Sequence, residues 1–306
     1  MSARPLANSD PFFKLIILFL ISFLGVTIFM LMGNGLITAL WGVDFFEAPG
    51  SITDYTNPQV VNINRVLLLF QHLGMFVVPS FAFALLISSN WKRVLGFRPA
   101  RASVAVAAIL VMIAALPLIN ALAWMNELLK FPEFLSGLEA AFAGMEESAA
   151  KLTKAITEDA NPIVLAVNIL TIAALPAIGE ELIFRGLVIP IVRKWSGNVH
   201  TAVWVAAILF SAMHMQFYGF FPRMVLGAVL GYLFVWSGSV WIPIIAHFTN
   251  NAFALTMLFL MSRGTIPKEA DEFALDATNM IWLAVSVVAV SGLMWFVFSQ
   301  HKRNLL

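Results

Sequence analysis

Long runs without Asp, Glu, Lys or Arg dominate this chain, and short charged segments separate them. A helix needs about 20 apolar residues to cross the hydrocarbon core of a bilayer. The run over 224–262 is too long for one crossing, and Ser237, Gly238 and Ser239 near its middle indicate a turn between two helices. The pattern therefore predicts an all-α polytopic transmembrane bundle of about eight spans. These are 15–43, 66–91, 102–126, 160–190, 195–222, the two halves of 224–262, and 277–301.

Composition supports a membrane protein. The 306 residues are 60% hydrophobic and 11% charged, and the mean hydropathy is +0.89. A soluble domain has about 25% charged residues, so soluble and disordered chains are excluded. The net charge of +1 gives no field that would attract polyanions, so nucleic acid is not an expected partner. The absence of cysteine excludes disulfides, thiol nucleophiles and Cys-ligated zinc.

The distribution of charge between loops predicts the orientation in the membrane. With the N-terminus in the cytoplasm, the inner segments carry ten basic residues and one acidic residue, and the outer segments carry seven basic and fourteen acidic residues. Cytoplasmic loops of membrane proteins are enriched in Lys and Arg. We therefore expect both termini to be cytoplasmic. The first apolar stretch is too long for the core of a signal peptide, so we interpret it as a mature helix.

The spans fall into two regions. Residues 1–159 form a three-span region that ends in an acidic outer loop, 126–159, and residues 160–306 form a five-span region. Apolar residues recur at helical spacing in 126–159, which predicts an amphipathic hairpin or surface helix. Packing on the mouth of the bundle is the simpler role for this segment, and gating of a substrate is the alternative.

Ionisable residues inside a membrane span are costly and mark a functional site by default. The fourth span contains Glu180, Glu181 and Arg185. Glu181 and Arg185 are four residues apart, so they share a helix face and can form an ion pair. Glu180 lies about 100° around the helix and has no partner in its own helix. Glu180 is therefore the candidate general base, and a purely structural charge network is the alternative.

Two further spans add histidine and amide groups. Phe210 and His214 share a face in the fifth span, and His247 and Asn251 share a face in the seventh. A carboxylate, two imidazoles and an amide can activate water and stabilise an oxyanion, with or without a metal. Each group alone also fits interhelical packing, and we assign His72 in the second span to packing or interhelical bonding.

Three short motifs follow one another in a characteristic order. Glu-Glu-x-x-x-Arg occupies 180–185, Phe-x-x-x-His occupies 210–214, and His-x-x-x-Asn occupies 247–251. In this order and spacing, about residues 160–260 resemble the core of the CPBP (Abi) family. That family comprises type II CAAX prenyl proteases, bacteriocin-processing and immunity proteins, and Abi-type proteins.

The resemblance implies a glutamate-dependent intramembrane peptidase that acts on peptides or proteins in the lipid bilayer. Under it, Glu180 and His214 would activate water, and His247 and Asn251 would stabilise the oxyanion. Glu181 and Arg185 would hold the site together, and Phe210 would line it. The resemblance leaves a divalent metal such as zinc open, with Glu180, His214 and His247 as ligands. The expected location is a bacterial inner membrane.

Two other functions stay open at the level of sequence. A non-catalytic scaffold or bacteriocin self-immunity protein could keep the motifs for packing. A transporter could use the same groups as a proton relay, although the chain has no detectable internal repeat.

Overall fold

The computed structural model describes residues 4–129, 131–267 and 277–303, and these residues contain helices and no β-strand. The predicted all-α bundle is confirmed. The ten main helices are α1 (Pro11–Trp41), α2 (Pro58–Ile87), α3 (Ala102–Ala114), α4 (Leu116–Glu127), α5 (Ser136–Thr157), α6 (Pro162–Ser196), α7 (Val199–Ala212), α8 (Phe220–Ser237), α9 (Trp241–Ser262) and α10 (Ala277–Arg303). A one-turn helix, Trp91–Val94, and three short 3₁₀ helices, Pro49–Ile52, Glu133–Leu135 and Phe217–Gly219, lie in the connections.

Each of the eight predicted spans contains a helix or a bent helix pair. Within the described residues, six helices are long and apolar enough to cross a membrane, and α3 with α4, bent by 43°, makes a seventh candidate. The predicted fifth span corresponds to α7, which is apolar but has only 14 residues. At 1.5 Å per residue α7 is about 21 Å long, which is shorter than the hydrocarbon core.

Polar caps and glycines mark the helix ends. Asn161 accepts a hydrogen bond from the Ile163 N–H before α6, and Asn198 accepts one from the His200 N–H before α7. These bonds satisfy backbone donors that a helix start leaves unpaired. Gly238 ends α8 with a φ of 68°, so the turn predicted within 224–262 is present.

Glycines bring α1, α2 and α6 into close contact. A Cβ atom on Gly25 would collide with the Gly74 carbonyl oxygen, so the backbones of α1 and α2 touch at this crossing. A Cβ atom on Gly179 would lie 2.8 Å from the Phe76 Cβ, which brings α2 equally close to α6. Such small residues are typical of helix crossings in membranes. They place α2 directly against the part of α6 that carries the two glutamates.

Three stretches of π-helix interrupt the long helices. They are Leu73–Val77 in α2, and Ile169–Ala174 and Leu182–Val188 in α6. Wide turns of this kind often occur at functional sites. Glu180 and Glu181 end the short α-helical stretch between the two π segments of α6.

The outer segment 126–159 forms the surface helix that its spacing predicts. This helix, α5, packs against α2, α9 and the short 3₁₀ helix Phe217–Gly219. It therefore lies across the end of the bundle where the connection from α7 to α8 emerges.

Candidate active site

A hydrogen-bond network around the Glu181 carboxylate links three helices, α6, α8 and α9. The carboxylate is fully buried, and its Oε1 accepts hydrogen bonds from Arg185 Nη1 at 2.7 Å and from His247 Nδ1 at 2.9 Å. Arg185 Nη2 also donates to the Gly227 carbonyl oxygen at 2.9 Å. The predicted ion pair within α6 is therefore present, and it is extended to α8 and α9. A buried charge network of this kind holds helices in one arrangement.

The ring of Phe210 lies at the centre of the site. Its centroid is 4.9 Å from the guanidinium carbon of Arg185, 5.2 Å from the ring of His214 and 5.8 Å from the ring of His247. Both imidazoles meet it edge to face, which is a favourable arrangement for aromatic rings. Phe210 thus contacts both candidate histidines and the network below them.

His214 follows the C-terminal end of the short helix α7. Its Nδ1 lies 2.9 Å from the Phe210 carbonyl oxygen, which only accepts, so Nδ1 carries the hydrogen. The neutral ring therefore has its lone pair on Nε2, and the side chain is exposed. The end of α7, which His214 follows, lies about 20 Å along the helix from Val199. Glu180 lies about 24 Å along α6 from Ser196. His214 and Glu180 are therefore at similar depths from the connection between α6 and α7.

Glu180 differs from Glu181 because its carboxylate is not bound by an arginine. The side chain is buried, its Oε1 lies 3.7 Å from His72 Nε2, and its Oε2 has no hydrogen-bond partner among the described residues. The carboxylate also interacts electrostatically with the imidazoles of His214 and His247. Glu180 is therefore the acid that the network leaves available.

His72 lies beside Glu180, a position that the sequence analysis did not predict. We assigned it to packing or interhelical bonding, and it does face another helix: its Nδ1 donates to the Leu68 carbonyl oxygen at 2.9 Å, and its Nε2 lies 3.7 Å from Glu180 Oε1 of α6. Its ring also contacts Phe76, with the centroids 5.7 Å apart. The only available signal was that an ionisable residue in a predicted span is a functional candidate by default.

Asn251 lies one turn after His247 on the same face of α9. It is half-buried, and its Oδ1 accepts from Asn250 Nδ2 at 3.3 Å. Most of the site residues predicted from the sequence therefore lie close together in the structure, and Asn251 lies one turn further along α9. The gathered residues are Glu180, Glu181, Arg185, Phe210, His214 and His247.

Carboxylate and imidazole groups, the donor types at this site, suit a divalent cation such as zinc. Among the described residues, no group of three His, Asp or Glu side chains is placed to hold a metal ion. The zinc set of Glu180, His214 and His247 stays a prediction.

A cavity of about 600 Å³, here named the roof cavity, lies beneath α5. Among the residues that line it are Glu146 and Ala149 of α5, Leu258 of α9 and Arg223 of α8. Arg223 binds Gln216 and interacts electrostatically with Glu180 and His214. The roof cavity is therefore electrostatically coupled to the candidate site.

The connection that follows His214 is tied to α5. Glu146 Oε2 accepts a hydrogen bond from the Tyr218 N–H at 3.1 Å, and the Tyr218 hydroxyl donates to Glu139 Oε1 at 3.4 Å. Displacement of α5 would therefore break contacts to the segment that carries His214.

Comparison with known proteins gives two relatives. Over 88 residues the chain is 35% identical to the sporulation-killing factor biosynthesis protein SkfC of Bacillus subtilis (strain 168), covering 26% of this chain and 17% of SkfC. Over 89 residues it is 28% identical to the uncharacterized protein YpbD of the same organism, covering 28% of this chain and 42% of YpbD. The chain thus spans less than half the length of either relative. No solved structure matches it.

The match to a family model coincides with the candidate site. Residues 162–253 match the model described as type II CAAX prenyl endopeptidase Rce1-like. This range runs from the start of α6 into α9 and includes the three motifs read from the sequence. The resemblance is thereby confirmed: residues 162–253 of this multi-pass membrane protein are similar to the Rce1-like type II CAAX prenyl endopeptidases.

Proposed function

We propose that this chain is an intramembrane endopeptidase that hydrolyses peptide bonds of membrane-associated peptides or proteins. One observation carries the proposal: of two adjacent buried glutamates, Glu181 accepts hydrogen bonds from Arg185 and His247, whereas the only group within ion-pair distance of Glu180 among the described residues is the imidazole of His72. A buried carboxylate that faces an imidazole and is not bound by an arginine or lysine is suited to proton transfer. The family match over 162–253 supports the same chemistry.

In the proposed reaction, Glu180 and His214 hold the attacking water. The water donates hydrogen bonds to the Glu180 carboxylate and to Nε2 of His214. As the water oxygen forms a bond to the carbonyl carbon, one proton moves to Glu180 and the carbonyl electron pair moves to the oxygen. This gives a tetrahedral intermediate with one negative charge on the former carbonyl oxygen.

His247 and Asn251 stabilise that charge. His247 donates Nδ1–H to Glu181, so in its doubly protonated form it also presents an Nε2–H to the oxyanion. The Asn251 amide supplies the second donor. The intermediate collapses when the C–N bond breaks and the proton held by Glu180 passes to the leaving nitrogen. The products are a carboxylic acid and an amine.

The decisive experiment compares the two adjacent glutamates. Purified protein in proteoliposomes is given a quenched-fluorescent farnesylated peptide that ends in a CAAX sequence, and the same peptide without the farnesyl group. We expect Glu180→Gln to lower turnover by about 10²–10⁴-fold with an unchanged melting temperature. Glu181→Gln leaves Arg185 buried without its partner, so it should lower stability by about 3–5 kcal/mol.

The control is Glu47→Gln, which alters an exposed acid between α1 and α2. It should change neither turnover nor melting. Full activity in a folded Glu180→Gln variant would contradict the assignment of the base. A folded wild type that leaves both peptides intact would contradict CAAX-type cleavage.

The metal question has its own measurement. The metal content of purified wild type and of His214→Ala can be determined by mass spectrometry. About one equivalent of a divalent metal in the wild type that is lost in His214→Ala would replace the scheme above by a metal-assisted one.

The hydrogen-bonded network around Glu181 also favours a second candidate, a non-catalytic scaffold or self-immunity protein. Glu181, Arg185 and His247 link three helices, which is what packing alone requires. This role predicts that Glu180→Gln keeps the cellular phenotype. The endopeptidase predicts that the inserted variant loses it.

A further inference from the structure

A groove lies far from the candidate site, where α6 ends and α7 begins. It has a volume of about 720 Å³, with α7 and the C-terminal half of α10 on either side and α8 between them. We name it the α7–α10 groove. Among the residues that line it are Arg193, His200, Trp236, Met294, Trp295 and His301.

The groove is basic at one end and apolar further in. Arg193 is near the end of α6, His200 is at the start of α7, and His301 is near the end of α10. Along α10, Met294 lies about 10 Å and Ser291 about 15 Å deeper than His301. None of the described residues that line the groove is acidic. The groove thus combines a cationic mouth with an uncharged channel that runs along the helices.

Aromatic side chains form the wall at the same end. The rings of Tyr232 and Trp236 are stacked with centroids 5.1 Å apart, and Trp236 contacts Phe298 at 5.2 Å. Trp295 beside them is 67% exposed. Trp and Tyr concentrate at the membrane–water interface. This wall therefore places the basic mouth at the level of the lipid headgroups.

The two imidazoles at the mouth are held in place. His301 Nδ1 donates to the Trp236 carbonyl oxygen at 3.0 Å, so its Nε2 is the nitrogen left for another partner. His200 Nδ1 is bonded to the Tyr232 hydroxyl at 2.8 Å. Arg193 is exposed and carries a permanent charge.

We propose that the α7–α10 groove binds one anionic phospholipid of the adjacent leaflet. Its phosphate lies at Arg193, His200 and His301, and one acyl chain lies along Trp236 and Met294. Basic pockets between transmembrane helices recognise anionic headgroups through charge, and the apolar channel accommodates the chain. The proposed lipid site contains none of the residues assigned to the peptidase, so the lipid proposal does not depend on the proposed peptidase function.

Native mass spectrometry of the full chain tests this site. The protein is equilibrated with equal amounts of phosphatidylglycerol and phosphatidylcholine with identical acyl chains, and retained lipid is counted. We expect the wild type to retain one phosphatidylglycerol in preference to phosphatidylcholine. Arg193→Gln should lower that retention about fivefold, since a basic residue near an anionic surface contributes about 1 kcal/mol.

Lys194→Gln is the matched control, because Lys194 is adjacent, exposed and not part of the groove. It should retain lipid like the wild type. Met294→Trp should lower retention of both lipids by filling the channel without a change of charge. Equal retention of the two lipids by the wild type, or equal losses in Arg193→Gln and Lys194→Gln, would overturn the proposal. Displacement of the lipid by excess inorganic phosphate would assign the mouth to a free anion and would also overturn it.

Discussion

At the scale of residues, two neighbouring glutamates show which contacts a sequence can predict. The bond from Arg185 to Glu181 is local, because four residues on a helix bring side chains to one face, and the spacing alone predicts it. His247 and His72 reach the same two glutamates from other helices. No spacing predicts those contacts, since they depend on how α2, α6 and α9 cross.

Substitution of His72 tests whether it positions Glu180. His72→Leu removes the ring that faces Glu180 Oε1 at 3.7 Å, so the carboxylate loses a fixed orientation. We expect kcat for peptide cleavage to fall about tenfold with an unchanged KM, because small misplacement of a reacting group is costly. His72→Gln, which keeps an N–H donor, should recover part of the loss. Gln71→Leu alters the exposed neighbour and should have no effect. Equal activity of His72→Leu and wild type would remove His72 from the site.

At the scale of elements, hydropathy predicts where the helices are but not how they end or bend. All eight predicted spans contain helices, because each carries enough apolar residues to require burial in lipid. The early end of α7, the 43° bend between α3 and α4 and the π segments of α6 depend on neighbouring helices and leave no periodic signal. The early end of α7 matters most, because it leaves His214 at the depth of Glu180.

The crossing of α1 and α2 should be sensitive to a single methyl group. In Gly25→Ala the new Cβ meets the Gly74 carbonyl oxygen, and backbone cannot move aside as a flexible side chain can. We expect a loss of about 1–3 kcal/mol in unfolding free energy, measured by denaturation in mixed micelles. Gly35→Ala is the control in the same helix, because a Cβ there meets nothing within 4 Å, and it should be neutral or stabilising. Similar stabilities of the two variants would show that the helices do not touch there.

Helix α5 should control access to the site if the roof cavity admits substrate. The chain has no cysteine, so Ala149→Cys introduces one thiol into the cavity lining. We expect a bulky maleimide on this thiol to slow cleavage of the fluorescent peptide at least severalfold. The same label on Ser148→Cys, one residue away and exposed, should leave the rate unchanged. Equal inhibition at both positions would indicate a general effect on α5, and no inhibition at Ala149→Cys would contradict access through the roof cavity.

At the scale of the whole molecule, the site joins the two regions that the sequence analysis separated. The family match covers only 162–253, within the five-span region. His72 nevertheless reaches Glu180 from the three-span region, and Arg65 donates to the Asn168 side chain and to the Ile156 carbonyl oxygen. Helix α2 of the three-span region therefore forms one side of the site. A chain that begins near residue 160 would lack α2 and expose Glu180.

The predicted orientation follows from charge and can be measured directly. Ser148 in α5 and Ser196 at the end of α6 are both exposed, and α6 is a long candidate span between them. Since basic residues concentrate on the side of Ser196, we expect Ser196→Cys to face the cytoplasm and Ser148→Cys the outside. In spheroplasts, a membrane-impermeant maleimide should label Ser148→Cys at once and Ser196→Cys only after permeabilisation. The reverse labelling pattern would mean that the protein has the opposite orientation in the membrane. Labelling of both positions from one side would mean that α6 does not cross the membrane. Because Glu180 lies between these two positions along the chain, the result also gives the direction in which α6 carries Glu180 across the membrane.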